Sequence, residues 1–142
     1  MAVKTEKGLV VFDFDGVISN TINADFSSAV AAFQEFTGIH INEDAQRQFE
    51  NLMRFQKHHE DYYVIMNLLA KNKSRHFGKM MDVMFTAEKA KIRPEVLTKF
   101  AQTFLSVRLE IIHKNPKAYA NLSSQYKGMS KAIKEASRHN HV

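Results

Sequence analysis

The chain contains no cysteine, which excludes disulfides, thiolate metal sites and cysteine nucleophiles at once. Nowhere do about 18 apolar residues run together, the length that a membrane-crossing helix requires. The apolar run that follows Met1–Lys7 is short, is interrupted by two aspartates and has no small-residue cleavage site after it, so it does not read as a signal peptide. Only five glycines and two prolines occur in 142 residues. No glycine-rich loop is present to cradle a nucleotide, no linker of low complexity divides the chain, and no segment repeats. Serine and histidine are present, but no spacing among them suggests a hydrolytic triad. Hydrophobic residues make up 44% and charged residues 25%, a composition of globular chains rather than disordered ones. The length suits one domain, or a small core with an insertion. A soluble cytoplasmic protein with no membrane partner is the expectation.

Charge is distributed unevenly. Lys71, Lys73, Arg75, Lys79, Lys89, Lys91 and Arg93 stand against Asp82 and Glu88, so the stretch 71–93 carries the whole net charge of +5. Such a stretch is either a solvated lysine-rich helical face or an attractor of anions. Only Phe77 and Phe85 interleave with these charges, which gives no support to specific nucleic-acid binding.

The hydrophobic pattern changes period once. Leu9-Val10-Val11-Phe12 is a β-branched and aromatic run without polar alternation, the pattern of a strand buried on both faces. After it the spacing is helical throughout. Ile22, Phe26, Ala29, Val30 and Phe33 form one stripe, capped by Ser19, Asn20 or Thr21 and stopped by Gly38. A second helix is expected from Asn42, with Phe49, Leu52 and Met53 on one side. A third carries Tyr62, Tyr63, Met66, Leu69 and Ala70, and a fourth carries Phe77, Met80, Met81, Met84 and Phe85. Pro94 suits a first helical residue and opens a long helix through Phe100, Phe104, Val107 and Ile111, ending before Asn115-Pro116. A last amphipathic helix runs from Lys127 to about His139. This makes a mainly α-helical chain with a single N-terminal strand, whose partner strands are not legible.

That strand ends in Asp13-Phe14-Asp15-Gly16. Two aspartates one residue apart at the carboxyl end of a parallel strand point into the same cleft. Their mutual repulsion is relieved by a divalent cation, and magnesium prefers such oxygen ligands. One carboxylate can attack phosphorus while the other protonates the leaving group and later activates water. A calcium loop beginning at Asp13 fails on position, since its fifth and twelfth residues are Val17 and Ala24. His58-His59-Glu60-Asp61 has metal-binding residue types but no ligand at i+4, and reads as a solvated helix start. His139 and His141 read as a tail. The stripe Phe77–Phe85 reads as helix packing, or as a substrate-facing or dimer-forming surface.

The run Val10-Val11-Phe12-Asp13-Phe14-Asp15-Gly16-Val17-Ile18-Ser19-Asn20-Thr21 resembles the first motif of the haloacid dehalogenase superfamily, most of whose members are phosphatases. The resemblance implies an α/β fold, with a Rossmann-like core and a helical cap. It implies that Asp13 is the nucleophile that becomes an aspartyl-phosphate, that Asp15 is the general acid and base, and that both hold Mg²⁺. The helical segment after the motif is similar to the cap of the phosphoglycolate phosphatase and β-phosphoglucomutase branch. On that basis 1–20 is the first core strand and catalytic loop, 21–94 the cap, and 95–142 the return helices of the core, with Tyr126-Lys127-Gly128-Met129 marking the return. Asn20 stands where that branch often has aspartate, and Val17 where many members have threonine. No residue matches the family's phosphate-binding serine or threonine, its lysine or its second acidic pair. The implied activity is a phosphohydrolase acting on a small phosphorylated metabolite, incomplete or inactive as these 142 residues. The alternative is a non-catalytic interaction protein or subunit that assembles through its orphan strand, with a homodimer through strand or cap as one form.

Overall fold

A computed structural model describes residues 8, 9, 11, 19–71 and 81–139 of the chain. Among these the architecture is mainly α-helical, with seven α-helices. Helix α1 is Ile22–Thr37, α2 Gln46–Leu52, α3 Asp61–Lys71, α4 Met81–Lys91, α5 Pro94–Lys114, α6 Pro116–Asn121 and α7 Met129–His139. Short 3₁₀ turns at Glu43–Ala45 and Met53–Phe55 flank α2. Among the described residues, β1, Ser19–Asn20, pairs antiparallel with β2, Ser124–Gln125.

Helix α1 forms where the apolar stripe predicts it. Thr21 is its N-cap residue, and the Ile22 amide donates to Asn20 Oδ1 at 3.1 Å. It ends at Gly38, whose φ of 77° lets its N–H return to the Gln34 carbonyl at 2.8 Å. Helix α5 opens on Pro94, as a residue with fixed φ and no amide donor favours, and stops at Asn115. The Asn115 side chain then accepts the Ala118 amide and caps α6.

Packing follows the same stripes. Helix α5 lies along α1, while α3 packs against α1, α2, α4 and α5. Phe33, Phe49, Leu52, Ile65, Met66, Phe100 and Phe104 are fully enclosed between them. Aromatic rings tie the helices together. Phe49 stacks on Tyr62, whose ring lies 4.5 Å from that of Phe104, and Phe36 meets Phe100 and Tyr63 edge-on. Each such pair adds roughly 0.5–1.5 kcal/mol beyond the area it buries. Met81 and Phe85 of α4 are buried in this core and Met84 packs against it, so the described part of the methionine and phenylalanine stripe is a packing surface.

Three expectations differ from what is found. Leu9 and Val11 are 74% and 81% exposed, so the extended start is not covered as a doubly buried strand would be. Residues 10 and 12 lie outside the described residues. The strand pairing that exists, at 19–20 and 124–125, is too short to leave a hydrophobic signature, and α6 is likewise too short to show a period. Lastly, Asp61 is buried rather than solvated.

Candidate functional site

Asp13 and Asp15 lie outside the described residues. The motif's last two residues, Asn20 and Thr21, are described, and both line a cleft of about 310 Å³. Gln56, His59, Tyr62 and Arg108 line it as well, with Asp25 and Tyr126. Four stretches of the chain supply these side chains: β1 with the start of α1, the turn before α3 with its first residues, α5 and the loop before α7.

Among the described residues, Arg108 is the only arginine or lysine lining this cleft. Its Nε donates to the Tyr119 hydroxyl at 2.6 Å, and one terminal nitrogen lies 3.5 Å from Asp25 Oδ1. Its guanidinium carbon also stands 6.0 Å from the Phe104 ring centroid and 5.9 Å from that of Tyr119. Burial alone pulls its pKa down, but Tyr119, Asp25 and Tyr62 outweigh this and raise it, so the side chain keeps its charge at any working pH. Asp25 sits on the buried face of α1 and accepts a hydrogen bond from the Thr21 hydroxyl at 2.9 Å. His59 is exposed and lies beside the stacked pair of Phe104 and Tyr62, at 5.5 and 6.4 Å. The cleft therefore presents a fixed cation, an imidazole and a carboxamide, a set that can orient an anionic or polar ligand.

Sequence reasoning did not single out Arg108 or Asp25, and it weighed His59 only as part of a solvated helix start. The signal for the first two was present. Asp25 adjoins Phe26 in the apolar stripe of α1, and Arg108 follows Phe104 by one helical turn and Val107 directly. A charge at the edge of a buried stripe needs a partner, and these two helices pack together.

The segment His58-His59-Glu60-Asp61 is organised around the Asp61 carboxylate. Its Oδ2 accepts the amides of Lys57 and His58, each at 2.9 Å, and its Oδ1 accepts Lys89 Nζ at 2.6 Å. Burial pushes its pKa up, yet Lys89 and the two amides outweigh this and hold it below its ordinary value. The Lys89 ammonium is correspondingly raised, chiefly by its hydrogen bond to Asp61. Lys71 pairs with the buried Glu88 at 2.5 Å, so two residues of the basic stretch bind α3 to α4. Among the described residues, no group of three or more histidine, aspartate or glutamate side chains could hold a metal ion, and no helix is long and apolar enough to cross a membrane.

A larger cavity of about 570 Å³ lies beyond α1, against Phe26, Val30, His40, Ile41 and Leu122. Among the described residues no lysine or arginine lines it, and neither Asn20 nor Thr21 does. No protein-family model, curated protein or solved structure matches this chain.

Proposed function

We propose that the chain carries the nucleophile and the acid–base residue of a haloacid dehalogenase-like phosphohydrolase that acts on a small phosphorylated metabolite. The observation that carries the reading is the 12-residue run from Val10 to Thr21. The cleft lined by Asn20, Thr21 and Arg108 supports it by offering a polar, cation-bearing recess directly after that run. On this reading a carboxylate oxygen of Asp13 attacks phosphorus and the ester oxygen leaves with a proton from Asp15. Asp15, now a carboxylate, then removes a proton from the water that hydrolyses the aspartyl-phosphate. The hard oxygen donors of Asp13 and Asp15 suit Mg²⁺, which when bound neutralises the phosphate and the two carboxylates. Arg108 draws the substrate's anionic end into the cleft, and helices 21–94 act as the cap.

Phosphate release from a generic aryl phosphate in the presence of Mg²⁺, by the product of the full reading frame, tests this. Asp13→Asn lowers the rate about a thousandfold or more. Unchanged activity in that variant, or none in the parent, overturns the reading.

A second reading is favoured by the exposed Leu9 and Val11. In an extended segment, residues two apart share one face, so these side chains offer an apolar edge to another chain. On that reading the protein is a non-catalytic subunit. Light scattering separates the two: a strict monomer at micromolar concentration rules out strand-mediated self-assembly.

A further inference from the structure

The turn 56–59 borders several recesses, one of them lined by all four of its residues. Gln56 and His59 line the cleft of Arg108, whereas Lys57 and His58 line a separate pocket of about 320 Å³ between the Met53–Phe55 turn and α4. Among the described residues, Arg54, Thr86 and Lys89 complete the polar lining of the second pocket, and Asp61 is its only carboxylate.

The distribution of partners in this pocket is lopsided. Asp61 is saturated, with both amides of the turn and the Lys89 ammonium on its two oxygens. Lys89 is shared with Glu60, whose Oε1 is 3.7 Å away. The acids nearby are therefore committed to Lys89. No carboxylate among the described residues pairs with Arg54 or Lys57.

Arg54 is nonetheless held in place. Its guanidinium carbon lies 4.7 Å above the Phe55 ring, and one terminal nitrogen is 3.7 Å from Met81 Sδ, a weak acceptor. Phe55 in turn stacks on Phe85 of α4 at 5.4 Å. The result is an exposed fork of N–H donors that has no carboxylate partner among the described residues, beside Lys57, which likewise has none there, an imidazole and the Thr86 hydroxyl. Arginine in this setting matches the planar oxygen pairs of phosphate. The pocket is concave and falls at the small end of ligand sites. It is not a stripe along which a polymer backbone could track.

We propose that this pocket is a binding site for a small phosphate-bearing anion, gripped by Arg54 and Lys57. It does not depend on the phosphohydrolase reading, because it shares no side chain with the Arg108 cleft.

Titration of the 142-residue chain with inorganic phosphate, followed by amide NMR against chloride at equal ionic strength, tests it. Saturable shifts are expected at Lys57, His58, Thr86 and Lys89. Arg54→Gln and Lys57→Gln each weaken that binding about tenfold, and Arg108→Gln leaves those same shifts unchanged. The spectrum reports folding directly, and the exposed Lys57 side chain can be replaced without disturbing the ring stack. Shifts that never saturate, or that survive both Arg54→Gln and Lys57→Gln, overturn the site. A single-stranded oligonucleotide that saturates the same amides more tightly than phosphate at matched salt overturns the small-molecule assignment.

Discussion

Asp61 and Asp25 are both buried carboxylates near the start of a helix, and each faces a cation from a distant part of the chain. Around Asp61 the contacts are short, at 2.6 and 2.9 Å, and its lysine is shared only with Glu60. Around Asp25 the arginine stands 3.5 Å away, is held more closely by Tyr119, and borders an open cleft. A carboxylate whose oxygens are filled by amides and an ammonium serves to hold segments together. A longer contact beside empty volume leaves arginine donors for something else. The first pair belongs to the scaffold, and the second is the one placed to meet a ligand.

Phe104 underlies both regions, since its ring touches Tyr62 and His59 and lies beneath Arg108. Phe104→Ala is expected to have the largest effect, about 4 kcal/mol of stability, read as the urea midpoint. A loss under about 1 kcal/mol would show that the aromatic ladder is not the shared support.

Asp61→Ala comes next. It leaves Lys89 with Glu60 alone and frees two amides, for a cost of about 3 kcal/mol, at the low end for buried pairs because Lys89 is partly exposed. The same urea series checks it, with an unchanged slope showing that the unfolded state is not involved.

The pair also sets a pH window. Asp61 is depressed in the folded state, so its contribution is present above about pH 4 and is lost as pH falls through the lower folded value. Lys89 is raised, so its contribution is present below about pH 10.4 and is lost as pH rises past the folded value. The contribution of this pair should be flat between these limits. In Asp61→Ala the acid limb should be shallower, and an identical limb would show that other carboxylates control it.

Arg108→Gln is expected to have the smallest effect on stability, about 1 kcal/mol, because its pairing with Asp25 is long and the Tyr119 hydroxyl can turn to water. Its larger effect falls on substrate affinity if the cleft is used. A loss as large as that of Asp61→Ala would erase the contrast between the two regions.

The helices were legible to differing degrees, for physical reasons. Stripes of four or five apolar residues located α1, α3 and α5, with Gly38 and Pro94 marking an end and a start to within a residue or two. Elements of two to six residues, such as β1, β2 and α6, hold too few positions to show a period. Asp61 misled because residue type and local spacing do not reveal that Lys89, 28 positions later, arrives at its carboxylate.

By itself the sequence determined the helical plan, the absence of thiol chemistry, the uneven charge and the Asp13–Asp15 motif, since each is a matter of residue type and near-neighbour spacing. Only the tertiary structure decided which charges are consumed and which are offered. Lys71 and Lys89 are spent on Glu88 and Asp61, while Arg54, Lys57 and Arg108 face pockets. A charge becomes structural or available through partners supplied by other helices, and that pairing is set by how α1, α3, α4 and α5 pack.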